Sequence, residues 1–153
     1  MLRRGFVHGS LGTFATFVAP SLARAQPGRV TRDGWDGRGE PTGREPADVE
    51  SLTDLERSHV PVLTLPRHVR IGRPFDLVVQ IGVRPHEMSA AHHIEWVEVC
   101  LDERRVAVID LTVDVPYPIV RVPIVLGAPA MLVARARCNQ HGVWRTRREI
   151  AVE

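Results

Sequence analysis

The residues best able to do metal chemistry in this chain are seven histidines and two cysteines. One pair stands close together. In Cys138-Asn139-Gln140-His141 a thiol and an imidazole are three residues apart, at the end of an apolar strand-like run and just before Gly142. A tight turn at that glycine would let a thiolate and an imidazole reach one ion, a donor mix that suits zinc, copper or iron. His86 and His92 lie six apart across the run Glu-Met-Ser-Ala-Ala. His59 immediately precedes Val60-Pro61. Each signal alone is weak, since a buried cysteine beside a surface histidine is commoner than a ligand pair. Together they share one property: every one falls at a strand end or in a loop, where side chains from separate loops can converge.

The elements that must position them read as β. Short runs rich in Val, Ile and Leu recur at roughly ten-residue spacing over 60–65, 75–81, 94–101, 106–111, 119–125, 130–137 and about 143–152. Strand alternation puts Phe75, Leu77, Val79 and Ile81 on one face. It likewise puts Leu132, Ala134, Ala136 and Cys138 on one face, and Met131, Val133, Arg135 and Arg137 on another that should be basic and solvated. Seven short strands predict an all-β fold, an immunoglobulin-like seven-stranded β-sandwich. Residues 47–57 precede them as a short helix, with Ser51-x-x-Asp54 as its capping pattern.

Composition sets the outer bounds. With 153 residues, 44% hydrophobic and 25% charged, the chain supports one domain and is not wholly disordered. A formal charge of +2 is no nucleic-acid signature, and no apolar run is long enough to span a membrane. All 20 cationic residues are arginine. Residues 1–25 read as an export signal: Arg3-Arg4, a modest apolar stretch, then Ala23-Arg24-Ala25 as a small-x-small cleavage site. The Arg-Arg-x-Phe-Val run resembles a twin-arginine signal, which implies a folded, cofactor-loaded cargo in a bacterial periplasm. Cleavage would remove Arg3, Arg4 and Arg24 and no acid, taking the charge from +2 to −1. The competing reading is a retained amphipathic helix. Residues 26–50 follow as a Gly/Pro-rich flexible linker, and 51–153 as an iron-binding β-sandwich domain.

That last assignment comes from a resemblance. Ser58-His59-Val60-Pro61-Val62-Leu63, then His86-x-Met88-x-x-x-His92-His93-Ile94-Glu95-Trp96, then Cys138-Asn139-Gln140-His141-Gly142-Val143-Trp144 match in order three signatures of the superoxide reductases. These comprise the neelaredoxins and the iron domain of desulfoferrodoxin. The resemblance covers about residues 52–153 and implies an immunoglobulin-like sandwich. It implies one mononuclear non-haem iron per chain, held by His59, His86, His92 and His141 with Cys138 as the axial ligand. The implied reaction is one-electron reduction of superoxide to hydrogen peroxide, without release of oxygen. It implies a separate electron-donor protein, and a homo-oligomer as family members often form. His93 should point away from the site, His68 should be exposed, and Cys100 should be a small core residue. Trp96 and Trp144 should pack near the ligands. The N–H groups following Cys138 are the natural donors to its sulfur.

The chain departs from the family pattern at two places. Members usually carry Glu-Lys-His at the first motif, where this chain has Glu56-Arg57-Ser58-His59. Glu56 and Arg57 are therefore the candidate catalytic residues, although a guanidinium cannot hand over a proton as an ammonium can. Glu87 follows His86 where the family usually has proline, adding a negative charge near the site. With two cysteines in all, a second, rubredoxin-like centre is excluded. Two other readings compete: a blue-copper-like electron carrier, disfavoured because no methionine follows His141, and a non-catalytic metal-binding module.

Overall fold

The computed structural model describes residues 43–102 and 104–153. The expected signal, residues 1–25, lies outside them. One helix, α1 (Asp54–His59), precedes seven strands: β1 (Pro61–Thr64), β2 (Phe75–Ile81), β3 (Ile94–Leu101), β4 (Arg104–Asp110), β5 (Ile119–Ile124), β6 (Ala130–Cys138) and β7 (Gly142–Ile150). They form two antiparallel sheets, ordered β1-β2-β5 and β4-β3-β6-β7. This is the seven-stranded sandwich that the strand spacing predicts.

The core lies between the sheets. Leu77, Val79 and Ile81 of β2 and Val120, Val122 and Ile124 of β5 meet Val97, Val99 and Leu101 of β3 and Leu132, Ala134 and Ala136 of β6. Each Val, Leu or Ile among them contributes about 1.5–3 kcal/mol when fully buried. Within the strands of the described residues, proline occurs only where one side is free: Pro61 opens edge strand β1 and Pro123 sits in edge strand β5, where a missing donor breaks no shared ladder.

Four local expectations change. The helix begins at Asp54, because Thr53 rather than Ser51 caps it. The Thr53 hydroxyl accepts from Glu56 N–H, and the Glu56 carboxylate accepts from Thr53 N–H at 2.8 Å, a complete capping box. β4 starts at Arg104, since Arg104 and Arg105 pair with Leu101 and Cys100 across a tight hairpin. The outer face of β6 is not simply solvated. Val133 is buried, and Arg135 donates at 2.8 Å to Glu98, whose carboxylate is buried and also takes Arg105. A buried carboxylate requires such pairing. Finally, residues 43–46 of the expected linker are seated along β7. Arg44 exchanges backbone hydrogen bonds with Val143 and Arg145, and Glu45 pairs with Arg145 and Arg147.

Cys100 is buried on the Glu98 side of β3, outside the inter-sheet cluster. Burial, then the Glu98 charge, push its thiol up to about 11, so it remains protonated and inert at neutral pH.

Candidate metal centre

One end of the sandwich gathers five side chains from three chain segments. His59 is the last residue of α1, so helix geometry aims it inward, and it is 1% exposed. His86 and His92 come from the loop joining β2 to β3. Cys138 ends β6, and His141 occupies the three-residue turn into β7, closed by Gly142 at φ 74°. That positive φ is the reason for a glycine there.

Backbone bonds lock these segments together. Gly82 N–H donates to Val60 carbonyl, Val83 N–H to Arg57 carbonyl and His86 N–H to Ile81 carbonyl. Asn139 clamps the His92 loop to the cysteine turn. Its N–H donates to His93 carbonyl at 3.1 Å, its amide nitrogen to Ala91 carbonyl at 3.0 Å, and its amide oxygen accepts from His93 N–H at 3.0 Å. Gln140 adds a bond to the same Ala91 carbonyl at 2.7 Å. The Asn139 N–H is thus spent on His93 and is not the donor to the Cys138 sulfur that the turn sequence suggested.

The imidazole nitrogens form a closed ring. His86 Nε2 lies 3.2 Å from His59 Nε2 and 3.1 Å from His92 Nε2. His141 Nδ1 lies 3.1 Å from His92 Nε2 and 3.0 Å from His59 Nε2. Adjacent rings are nearly perpendicular, at 73–79°. Cys138 Sγ is 3.5 Å from His141 Nδ1, and the donor atoms of His59, His86, His92 and Cys138 all lie within 4.8 Å of one another. A square with such edges has a half-diagonal of about 2.2 Å, close to the ~2.0–2.1 Å of a metal–imidazole bond.

Proton accounting tests whether a cation fits. His59 Nδ1 faces Leu55 carbonyl at 2.7 Å, and His86 Nδ1 faces Glu87 carbonyl at 2.5 Å. His92 Nδ1 faces the Glu87 carboxylate at 3.0 Å. Carbonyl and carboxylate oxygens only accept, so each Nδ1 carries the hydrogen, and in the neutral ring Nε2 then presents a bare lone pair. Three lone pairs then converge with no proton between them. Adding protons is resisted: burial first, and then neighbouring histidines, hold His59 down at about 4, and burial lowers His86 as well. A metal cation resolves the repulsion. Four nitrogens in a ring with a sulfur beside them offer one donor more than a closed tetrahedral zinc site would use.

The remaining candidates fall around this centre. His93 Nδ1 turns to Ser89 carbonyl, and His68 is 67% exposed beside Glu153. Trp144 stacks on His59 at 5.2 Å and 27°, with Arg44 over its ring. Trp96 is buried on the face of β3 opposite Val97. The Glu56 carboxylate is engaged by Thr53, which lowers its pKa through backbone and hydroxyl hydrogen bonds. Arg57 Nε donates to Leu52 carbonyl at 3.1 Å. With Arg84 it lines a cavity of about 310 Å³ beside Ser58. Sequence reasoning did not single out Arg84 or the Asn139 clamp. Nor did it foresee that the Ser58 hydroxyl would lie 2.9 Å from His59 Nδ1.

Four imidazoles and a cysteine sulfur, gathered at one end of an antiparallel sandwich, make a group able to hold one metal ion. The desulfoferrodoxin family pattern matches residues 51–147, and the chain belongs to that family. A candidate superoxide reductase of Methanocaldococcus jannaschii is 31% identical over 107 residues, spanning 66% of this chain and 89% of the relative. The solved superoxide reductase (neelaredoxin) of Ignicoccus hospitalis is 28% identical, with a TM-score of 0.63, over 72% of this chain and 95% of that one. A candidate superoxide reductase structure from Thermotoga maritima is 25% identical, with a TM-score of 0.59, over 72% and 94% of the two chains.

Proposed function

We propose that this chain is a one-iron superoxide reductase, with His59, His86, His92, His141 and Cys138 as the ligands. The observation that carries the reading is the ring of inward lone pairs with a thiol beside it, in a chain whose relatives are named for this activity. Held by these five residues, an iron ion would supply the single electron that, with two protons, converts superoxide to hydrogen peroxide. The protein's part is preorganisation. Leu55 and Glu87 fix the tautomers of His59, His86 and His92, so the donors need no rearrangement. The buried positions of His59 and Cys138 and the Trp144 stack keep bulk water from that side of the centre. Arg57 and Arg84 outnumber Asp54 in the cavity beside α1, a charge balance that favours a small anion there, while neither guanidinium can deliver a proton.

In this reading a separate protein returns the electron, since two cysteines cannot build a second, rubredoxin-like centre in the chain. The full chain purified and loaded with ferrous iron should hold one iron per chain. It should gain a thiolate-to-ferric visible band on oxidation. Copper or zinc in stoichiometric amount, or no retained metal, would overturn the assignment. We further propose export by the twin-arginine route to a periplasm, supported by Arg3-Arg4 and Ala23-Arg24-Ala25. Replacing both arginines by lysine should leave the precursor in the cytoplasmic fraction; unchanged export would remove this route.

A further inference from the structure

Glu87 stands where two ligands need an acceptor. Its backbone carbonyl takes the His86 Nδ1 hydrogen at 2.5 Å, and its carboxylate takes the His92 Nδ1 hydrogen at 3.0 Å. One residue thus orients two adjacent corners of the nitrogen ring. The side-chain contact is itself braced. Ser89 Oγ accepts from His92 N–H at 3.1 Å and has the His92 carbonyl at 3.2 Å and the same Glu87 carboxylate oxygen at 3.5 Å, while Ser89 N–H donates to His92 carbonyl at 2.9 Å. His92 is the more exposed of these two ligands, at 20%, and its Nδ1 meets a side-chain carboxylate rather than a backbone carbonyl as in His59.

We propose that Glu87 is a positioning residue of the iron centre, forming a carboxylate–histidine–metal relay through His92; this rests on the superoxide reductase reading above. A carboxylate acceptor gives the imidazole more anionic character than a carbonyl does, and so makes His92 a stronger nitrogen donor than His59 or His86. Its charge also favours the ferric over the ferrous state, which holds the reduction potential down. The backbone half of the device, Glu87 carbonyl to His86, survives any side-chain change that keeps the loop. Substitution therefore isolates the His92 half. Glu87 is 63% exposed, so truncating it opens no cavity.

The test uses the full chain, wild type, Glu87→Gln and Glu87→Ala, each loaded anaerobically with ferrous iron. Two quantities are read: iron affinity by chelator competition, and reduction potential by titrating the visible band. Glu87→Ala should lose about 10–100-fold in iron affinity, the usual effect of removing an outer partner of a ligand. Glu87→Gln keeps an acceptor oxygen for His92 and should recover most of that affinity. Both variants should shift to higher potential, because both lose the charge. Wild-type affinity and potential in Glu87→Ala would overturn the proposal, as would a loss of affinity shared by both variants with the potential unmoved. Wild-type protein that retains no iron would instead overturn the superoxide reductase reading, and this proposal with it.

Discussion

Cys138→Ser should abolish both the visible band of the oxidised protein and reduction of superoxide, while the sandwich stays folded. The sulfur is the one soft, polarizable donor in the centre. The band is a transfer of charge from that sulfur, and no oxygen donor reproduces it. Serine is nearly isosteric, so a site that is 1% exposed gains no cavity. The added hydroxyl needs a partner, at about 1–3 kcal/mol if none is found. Asn139 Oδ1, 3.9 Å from the sulfur, is within reach of a small shift. Loss of an outer partner of a ligand already lowers activity about 10–100-fold, so loss of the ligand should exceed about 100-fold. Cys100→Ser is the matched control. That thiol is buried beside Glu98, on the face of β3 turned away from the inter-sheet core, and its replacement should leave band and rate intact. Retention of the band in Cys138→Ser, or its loss in Cys100→Ser, would sink the ligand assignment.

The strands were legible because their signal is local. Alternation over 75–81 and 130–138 marks the buried faces of β2 and β6 directly, and the turn before Gly142 is written in one residue. Convergence of the five donors was legible only through motif resemblance, since His59 and His141 are 82 residues apart and no spacing rule links them. Other features escaped for identifiable reasons. The Thr53-x-x-Glu56 capping box was present in the sequence beside the weaker Ser51-x-x-Asp54, and only the helix start decides between them. Glu56 therefore looked like a free acid near a ligand, whereas its carboxylate is occupied at the helix N-terminus. Arg135 looked solvated because its partner Glu98 lies 37 residues away, on the neighbouring strand. Glu87 was visible as a charge, but that it serves two ligands at once depends on the loop conformation.

Gly82→Ala should be the most disruptive single-methyl change in the domain. Gly82 sits at φ 85°, a region that costs an L-residue about 1–2 kcal/mol. Its missing side chain also faces backbone on two sides. A methyl there would collide with Arg84 carbonyl and stand 2.7 Å from Ser58 carbonyl. Neither oxygen belongs to a flexible side chain, so the loop or α1 must move. Both carry ligands. Gly82 N–H holds Val60 carbonyl, the residue after His59, and Val83 N–H holds Arg57 carbonyl, while His86 follows four residues after Gly82. Displacement therefore separates His59 from His86, whose nitrogens stand 3.2 Å apart. Iron affinity should fall at least about 10-fold, as it does when a ligand's support is removed. Gly72→Ala separates strain from collision. Its φ is 70°, yet nothing lies within 4 Å of the added methyl. It should lower thermal stability by the strain alone and leave iron affinity unchanged. Equal losses of thermal stability in the two variants, with iron affinity unchanged in both, would show that the β2–β3 loop can yield without moving the centre.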